Sequence, residues 1–198
     1  MEKDFRVIKP KLTKIIIVEA GTKILGGFNH ALSKQALIDL NSLGVEVLLE
    51  TRVTGIDSSG VRIKTSEGEM TIEAATVLWA AGVKPSPLNK FLKEELDSTG
   101  RVHVTENLSL KSHREVYAIG DQVHFETETR KILPGLAPVA IQMGEHAAKN
   151  IIRQIRGEMV LPFTYKDKGQ MATIGRRLAV MEYKTFKARG MFAWLAWL

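Results

Sequence analysis

The chain has 198 residues and a mass of 22.0 kDa, with 44% apolar and 25% charged side chains; that size and mix bury a real core and exclude a disordered tract or a mini-protein. Twenty-eight basic against 22 acidic residues leave a net charge of +6, which permits a nucleic acid, an anionic cofactor or an acidic membrane surface as partner and selects none of them. Cysteine is absent, so these residues hold no disulfide scaffold, thiolate metal or iron–sulfur site, redox dithiol or cysteine nucleophile.

Residues 1–10 carry too much charge for a signal peptide, and no apolar run reaches the roughly 20 residues that a bilayer-spanning helix needs. The expectation is a soluble, cytoplasmic body. Ile15, Ile16, Ile17 and Val18 form a β-branched run ending in Glu19-Ala20-Gly21, which suits a parallel strand buried on both faces. Over residues 30–43, Leu32, Ala36, Leu37, Leu40 and Leu43 recur at helical spacing, and Gly44 stands where a helix end needs a left-handed residue. A strand over 45–49 follows.

Short alternating segments at 53–56, 61–65 and 70–73, separated by Asp57-Ser58-Ser59-Gly60 and Ser66-Glu67-Gly68, predict an antiparallel meander. Residues 76–81 predict another buried strand, halted by Gly82 and Pro85-Ser86-Pro87. Ser98-Thr99-Gly100 is the best linker, with a domain boundary near Gly100, and Val116-Tyr117-Ala118-Ile119 restarts a buried strand. A long helix is predicted over about 138–156, with Pro138 in its first turn and basic residues at its C-terminal end. Short strands at 170–174 and 178–181 complete the body.

A dinucleotide-binding unit has a glycine-rich turn after its first strand and an acid about 20 residues further on. Glu19 stands as that acid, yet only 18 residues precede it and the chain has no Gly-x-Gly-x-x-Gly. The turn and first strand are therefore expected upstream of Met1. A strand-end glutamate facing solvent is the competing reading. On a ribose, the Glu19 carboxylate would accept from the hydroxyls and repel a 2′-phosphate, favouring NADH over NADPH. Ala80-Ala81-Gly82 leaves room for a backbone to approach a ligand, although a plain strand-to-loop glycine fits the spacing as well.

Ile119-Gly120-Asp121 is the sharper signal, because it leaves an acid at the carboxyl edge of a sheet, where α/β ligands bind. The helix beginning near Pro138 adds N–H groups and partial positive charge for an electron-rich ring or an anion. Core packing with an ordinary turn is the alternative. The last segment sets Lys184, Lys187 and Arg189 before Met191, Phe192, Trp194, Leu195, Trp197 and Leu198, as an interfacial helix does; a buried terminal helix competes. The five histidines lack metal-ligand spacing, so no metal site is assigned. A phosphate-binding lysine loop, a nucleophile elbow and a basic stripe interleaved with aromatics are all missing, so nucleic acid is not expected as a partner.

Three stretches, Val116 to Asp121, Leu133 to Gly144 and Tyr165 to Arg176, resemble the type II NADH:quinone oxidoreductases, single-chain FAD-containing respiratory enzymes attached to one membrane leaflet. Ile17-Val18-Glu19-Ala20-Gly21 and Trp79-Ala80-Ala81-Gly82-Val83 are similar to their NADH domain, so the resemblance covers nearly the whole chain. It implies an α/β fold: part of a flavoprotein with two Rossmann-like dinucleotide-binding domains, an antiparallel β-meander and a C-terminal amphipathic membrane-association segment. Residues 1–100 would be the NADH-binding domain without its first strand and glycine-rich turn, 101–182 the C-terminal part of the FAD-binding domain, and 183–198 the start of the membrane-associating segment.

The same resemblance implies FAD and NADH as cofactors, a membrane quinone as electron acceptor and a peripheral place on the cytoplasmic face of a bacterial-type cell membrane; it also admits a homodimer. Glu19, Ala81 and Gly82 would serve NADH. Gly120, Asp121, Ala137, Ala140, Ile141 and Gln142 would serve FAD, with Lys168 near the flavin by analogy, and Gln142 would lie beside the quinone. Many members carry a second glutamine where this chain has Pro138. Two rivals remain: a non-catalytic truncated remnant or binding module without flavin, and an NAD(P)H-dependent ferredoxin-type reductase.

Overall fold

A computed structural model describes residues 13–197. Residues 1–10, read above against a signal peptide, and Leu198, the end of the terminal apolar set, lie outside the described residues. In chain order the elements are β1 (Ile15–Val18), α1 (His30–Ser42), β2 (Val45–Leu48), β3 (Arg52–Asp57), β4 (Gly60–Thr65), β5 (Gly68–Ile72), β6 (Val102–His103), β7 (Val123–His124), α2 (Ala137–Ile155), β8 (Gln170–Gly175), β9 (Leu178–Tyr183), β10 (Phe186–Arg189) and α3 (Gly190–Trp197). They fall into two compact units, Met1–Trp79 with Gly169–Leu198, and Ala80–Lys168.

In the first unit β1 and β2 pair in parallel, Ile15 opposite Val45 and Val18 opposite Leu48, with α1 as the crossover that such a pair requires. The Asn29 side chain opens α1 by accepting from the Ala31 N–H at 3.0 Å. Gly44, at φ +82°, closes it in the left-handed conformation that the sequence reading required of it. Leu32 and Ala36 turn inward with Ile24, Phe28 and Val180 to form this unit's core. The meander forms as expected, in the order β3-β4-β5 and antiparallel throughout. A side chain on Gly60 would collide with the Ile72 carbonyl oxygen.

Four expectations need correction. β1 is half-buried along its length rather than buried on both faces, since among the described residues its sheet has two strands. Residues 76–81 form no strand and are exposed, Leu78 by 88%; an apolar run becomes a strand only where a neighbour offers it a ladder, so propensity alone does not suffice. Residues 116–119 are extended but make a single antiparallel bridge, Ser109 with Tyr117, flanked by Leu110 N–H to Val116 O and Ala118 N–H to Leu108 O. The basic residues near the end do not lie on a helix. Lys184 occupies a tight turn at φ +54°, and Lys187 and Arg189 belong to β10, paired with Glu182 and Val180 of β9. Helix α3 is left short and apolar almost all round.

In the second unit Val102, Leu108, Leu110, Val123, Phe125, Val139, Met143 and Phe163 form the core. The stretch read as a linker is a tied turn inside this unit. Asp97 Oδ1 accepts from the Thr99 N–H at 2.8 Å, the Thr99 hydroxyl at 2.7 Å and the Arg101 N–H at 3.0 Å. Its Oδ2 accepts from Arg101 Nε at 2.7 Å and pairs with His124 Nδ1 at 3.1 Å. The His124 ring stacks on His103 with centroids 4.2 Å apart, in register with the parallel pairing of β6 and β7.

Burial by itself would raise the Asp97 carboxyl, but the hydrogen bonds from Thr99, Arg101 and His124 outweigh it and hold the group well below the usual carboxylate range. A carboxyl depressed in the folded state adds stability above its unfolded value and loses it as the pH falls toward the folded one. Asp97→Asn is therefore expected to destabilise the chain at neutral pH by about 2–3 kcal/mol, with the gap to wild type narrowing below about pH 4. Denaturant unfolding at a series of pH values measures this, and a pH-independent gap would rule out the charge as the source.

Candidate functional site

The second unit gathers most of the residues singled out in the sequence. Residues Gly120–Gln122 make one turn of 3₁₀ helix, closed by the Val123 N–H on the Gly120 carbonyl. Gly120 has φ +74°, a conformation that strains any residue with a β-carbon. A β-carbon there would stand 3.5 Å from that of Ala140 on α2. The Gly120 N–H donates to Met143 Sδ at 3.3 Å, which ties the start of the turn to the helix.

The Asp121 side chain is exposed and lies over the loop that leads into α2. A β-carbon added to Gly135 would come within 3.2 Å of Asp121 Cγ and Oδ1. Glycine at 135 is thus what lets the carboxylate sit there. Among the described residues no donor hydrogen-bonds this carboxylate. Its acceptors are open, and the side chains of Leu136 and Ile141 on the adjoining turn are exposed and apolar.

Helix α2 begins without a side-chain cap, at Leu136. The Val139 and Ala140 N–H groups both donate to the Leu136 carbonyl, at 2.9 and 3.0 Å, and Pro138 has no N–H. The array of unpaired donors expected at this terminus therefore narrows in the first turn to the Ala137 N–H. Ala137 and Ile141 are exposed, Ile141 by 61%, and Ala140 is half-buried against Gly120.

Gln142 is engaged. Its Nε2 donates to the Lys166 carbonyl and its Oε1 accepts the Lys166 N–H, both at 3.0 Å. His146 meets the Leu161 carbonyl at 2.9 Å. Asn150, fully buried, accepts the Leu161 N–H at 3.0 Å and donates to the Leu161 carbonyl at 2.8 Å. Residues 142, 146 and 150 form one polar stripe that seats the segment returning along the helix. Sequence reasoning missed this role, although the four-residue spacing was visible. Gly135 was missed as well. Lys168 is exposed at the end of the same segment.

Ala81 and Gly82 are exposed near the start of this unit, with Gly82 at φ +74°. Glu19 belongs to the first unit. It is half-buried at the end of β1 rather than free in solvent, and its Oε1 accepts the Gly21 N–H at 2.6 Å. In that unit an apolar cleft of about 410 Å³ lies among Ile16, Leu48, Ile63, Met70 and Ile72, with the Lys14–Glu46 ion pair at its edge; Glu19 does not line it.

Residues 7–144 match the model of the family described as pyridine nucleotide-disulphide oxidoreductase. The chain belongs to that family. Among curated relatives, the type II NADH:quinone oxidoreductase NdhA of Mycobacterium tuberculosis is 37% identical over 98% of this chain and 42% of its own length. The Ndh protein of the same organism is 36% identical over the same shares, and a type II NADH:quinone oxidoreductase of Staphylococcus aureus is 32% identical over 82% of this chain and 40% of its own. The chain thus spans about two-fifths of the length of the relatives it matches. Among solved structures, NDH2 of Plasmodium falciparum in complex with NADH superimposes with a TM-score of 0.79 at 17% identity, over 93% of this chain and 53% of that one. A FAD-dependent pyridine nucleotide-disulphide oxidoreductase from Desulfovibrio vulgaris gives 0.68 at 23%, over 84% and 41%. At those identities they establish the fold, which is Rossmann-like with mixed helix and sheet as the sequence predicts.

The clamp on Lys166 is testable without a ligand. Gln142→Leu removes both hydrogen bonds and is expected to speed exchange of the Lys166 amide by about tenfold or more, while Gln142→Glu, which keeps the acceptor, has a smaller effect. Equal exchange in all three proteins would mean that the contact does not hold the segment.

Proposed function

We propose that these residues belong to a flavoprotein oxidoreductase that passes electrons from NADH through FAD to a membrane quinone. The observation that carries the reading is the 37% identity to NdhA across 98% of the chain. The geometry at Asp121 is compatible with FAD: an acceptor-only carboxylate, a glycine at 135 where a β-carbon would crowd it, and exposed apolar side chains at the opening of α2.

Asp121 accepts from the hydroxyls of the FAD ribityl chain, next to its pyrophosphate. Gly135 leaves room beside it, and Gly120 supplies the left-handed turn that precedes it. Ala137, Ala140 and Ile141 flank the ring, and the Ala137 N–H together with the positive end of α2 favours electron density beside it. When bound, the flavin supplies the hydride-accepting and electron-passing chemistry; the protein supplies position. Gln142 keeps its Lys166 contact, so its place on the quinone side is that of a residue shaping the wall of the pocket. Lys168 continues that wall near the flavin. Residues 1–100 serve NADH and residues 101–182 serve FAD. For NADH, the Glu19 carboxylate of the first unit exchanges the Gly21 N–H for ribose hydroxyls.

Membrane association is part of the same reading. Among the described residues no helix is long and apolar enough to cross a membrane. Helix α3, with Met191, Phe192, Leu195 and Trp197 exposed, supports peripheral attachment of residues 183–198 on the cytoplasmic face.

An absorbance scan of purified protein tests the proposal: flavin bands that bleach on adding NADH are expected, whereas a colourless preparation that takes up no added FAD favours a non-catalytic binding module. Asp121→Ala is expected to weaken FAD binding by about 10- to 100-fold, from the 1–3 kcal/mol that a lost acceptor costs. Full flavin retention would remove Asp121 from the site.

A further inference from the structure

Asp121 receives no hydrogen bond from its own unit, so the backbone that carries it must set its direction. The start of the turn is held by the Gly120 N–H on Met143 Sδ, and a thioether is a weak acceptor. The far end of the turn is held differently, by a side chain distant in sequence.

Asn89 lies in a 3₁₀ helix, Pro87–Leu92, whose first turn is capped by the Ser86 side chain on the Leu88 N–H. It is 3% exposed. Its Nδ2 donates to two backbone carbonyls, Gly100 O and Gln122 O, each at 3.0 Å. Both amide protons are thereby used, and neither partner is a side chain that could relax away. The first bond reaches the turn tied by Asp97; the second reaches the residue directly after Asp121. One buried amide thus spans the turn at 97–100 and the turn at 120–122. From Gln122 the chain enters β7, where Val123 pairs with Val102 and His124 meets Asp97.

We propose that Asn89 is a positioning residue for the Gly120–Asp121–Gln122 turn: its carboxamide fixes the Gln122 carbonyl and so aims the Asp121 carboxylate at its ligand. This rests on the functional reading above for the identity of that ligand, FAD, but not for the anchoring itself. A carboxylate displaced by about an ångström no longer meets the hydroxyls it is built for. Asn89 touches no ligand and acts only through the turn.

The test uses the full chain and three substitutions. Asn89→Leu keeps the bulk without donors, Asn89→Asp is isosteric and sets a carboxylate against two carbonyls, and Asn89→Ser retains one short donor. Amide exchange at Gly120 and Val123 is expected to rise tenfold or more in the Leu and Asp variants and less in the Ser variant, with β1 and β2 unchanged. The FAD dissociation constant, from flavin fluorescence titration, is expected to rise by a similar factor in the same order. Unchanged exchange at 120–123 overturns the proposal. A uniform rise across the whole second unit with unaltered FAD affinity also overturns it, by showing a role in general stability. Should the Leu and Asp variants not fold, the Ser variant alone decides on the same two readings. A wild-type chain that takes up no FAD sinks the functional reading only, and the exchange result then decides the anchoring.

Discussion

A half-buried carboxylate that must be satisfied organises the second unit. Asp97 collects its donors from Thr99, Arg101 and His124, and no looser arrangement would compensate its removal from water. Satisfying it curls residues 97–101 into a turn and draws β7 alongside β6. The two-residue pairing between them is too short to persist alone. The chain then leaves β7 backwards into Gln122, so the same constraint delivers Asp121 to the edge of the unit, with Asn89 fastening the carbonyl between.

Helix α2 divides its surface by function. Val139, Met143 and Ala147 pack into the core, the stripe of Gln142, His146 and Asn150 binds the returning backbone, and the opening turn stays exposed beside Asp121. Polar side chains normally face water on a helix of this kind. Here three of them serve as hydrogen-bonding partners for a segment that has no sheet to join, which satisfies its backbone groups without a strand. The site is thus carried on a rigid helix and a tied turn, and the Asp121 carboxylate, without an internal partner, is open to donors from a ligand.

The zero cysteine count separates this chain from the chemistry in the family's name: whatever electrons pass here are not carried by a thiol of these residues. The quinone-directed proposal rests instead on the identity to type II NADH:quinone oxidoreductases across nearly the whole chain.

Local signals determined a good deal. The spacing of Leu32 and Ala36 with Gly44 fixed α1 and its end, the glycines at 60 and 68 fixed the meander, and Pro138 marked the start of α2, because each of these acts within a few residues through backbone geometry. The tight turn at Gly120 was legible for the same reason. Tertiary structure decided the rest. Residues 76–81 have the composition of a strand but form none, Lys187 and Arg189 were taken by pairing with β9, and Ser98-Thr99-Gly100 became a tied turn because Asp97 accepts from Thr99, Arg101 and His124. The role of Asn89, the clamp of Gln142 on Lys166 and the need for glycine at 135 depend on atoms far apart in sequence. A hydrogen bond between residues 89 and 122 leaves no periodicity or composition behind; it exists only once the chain has folded.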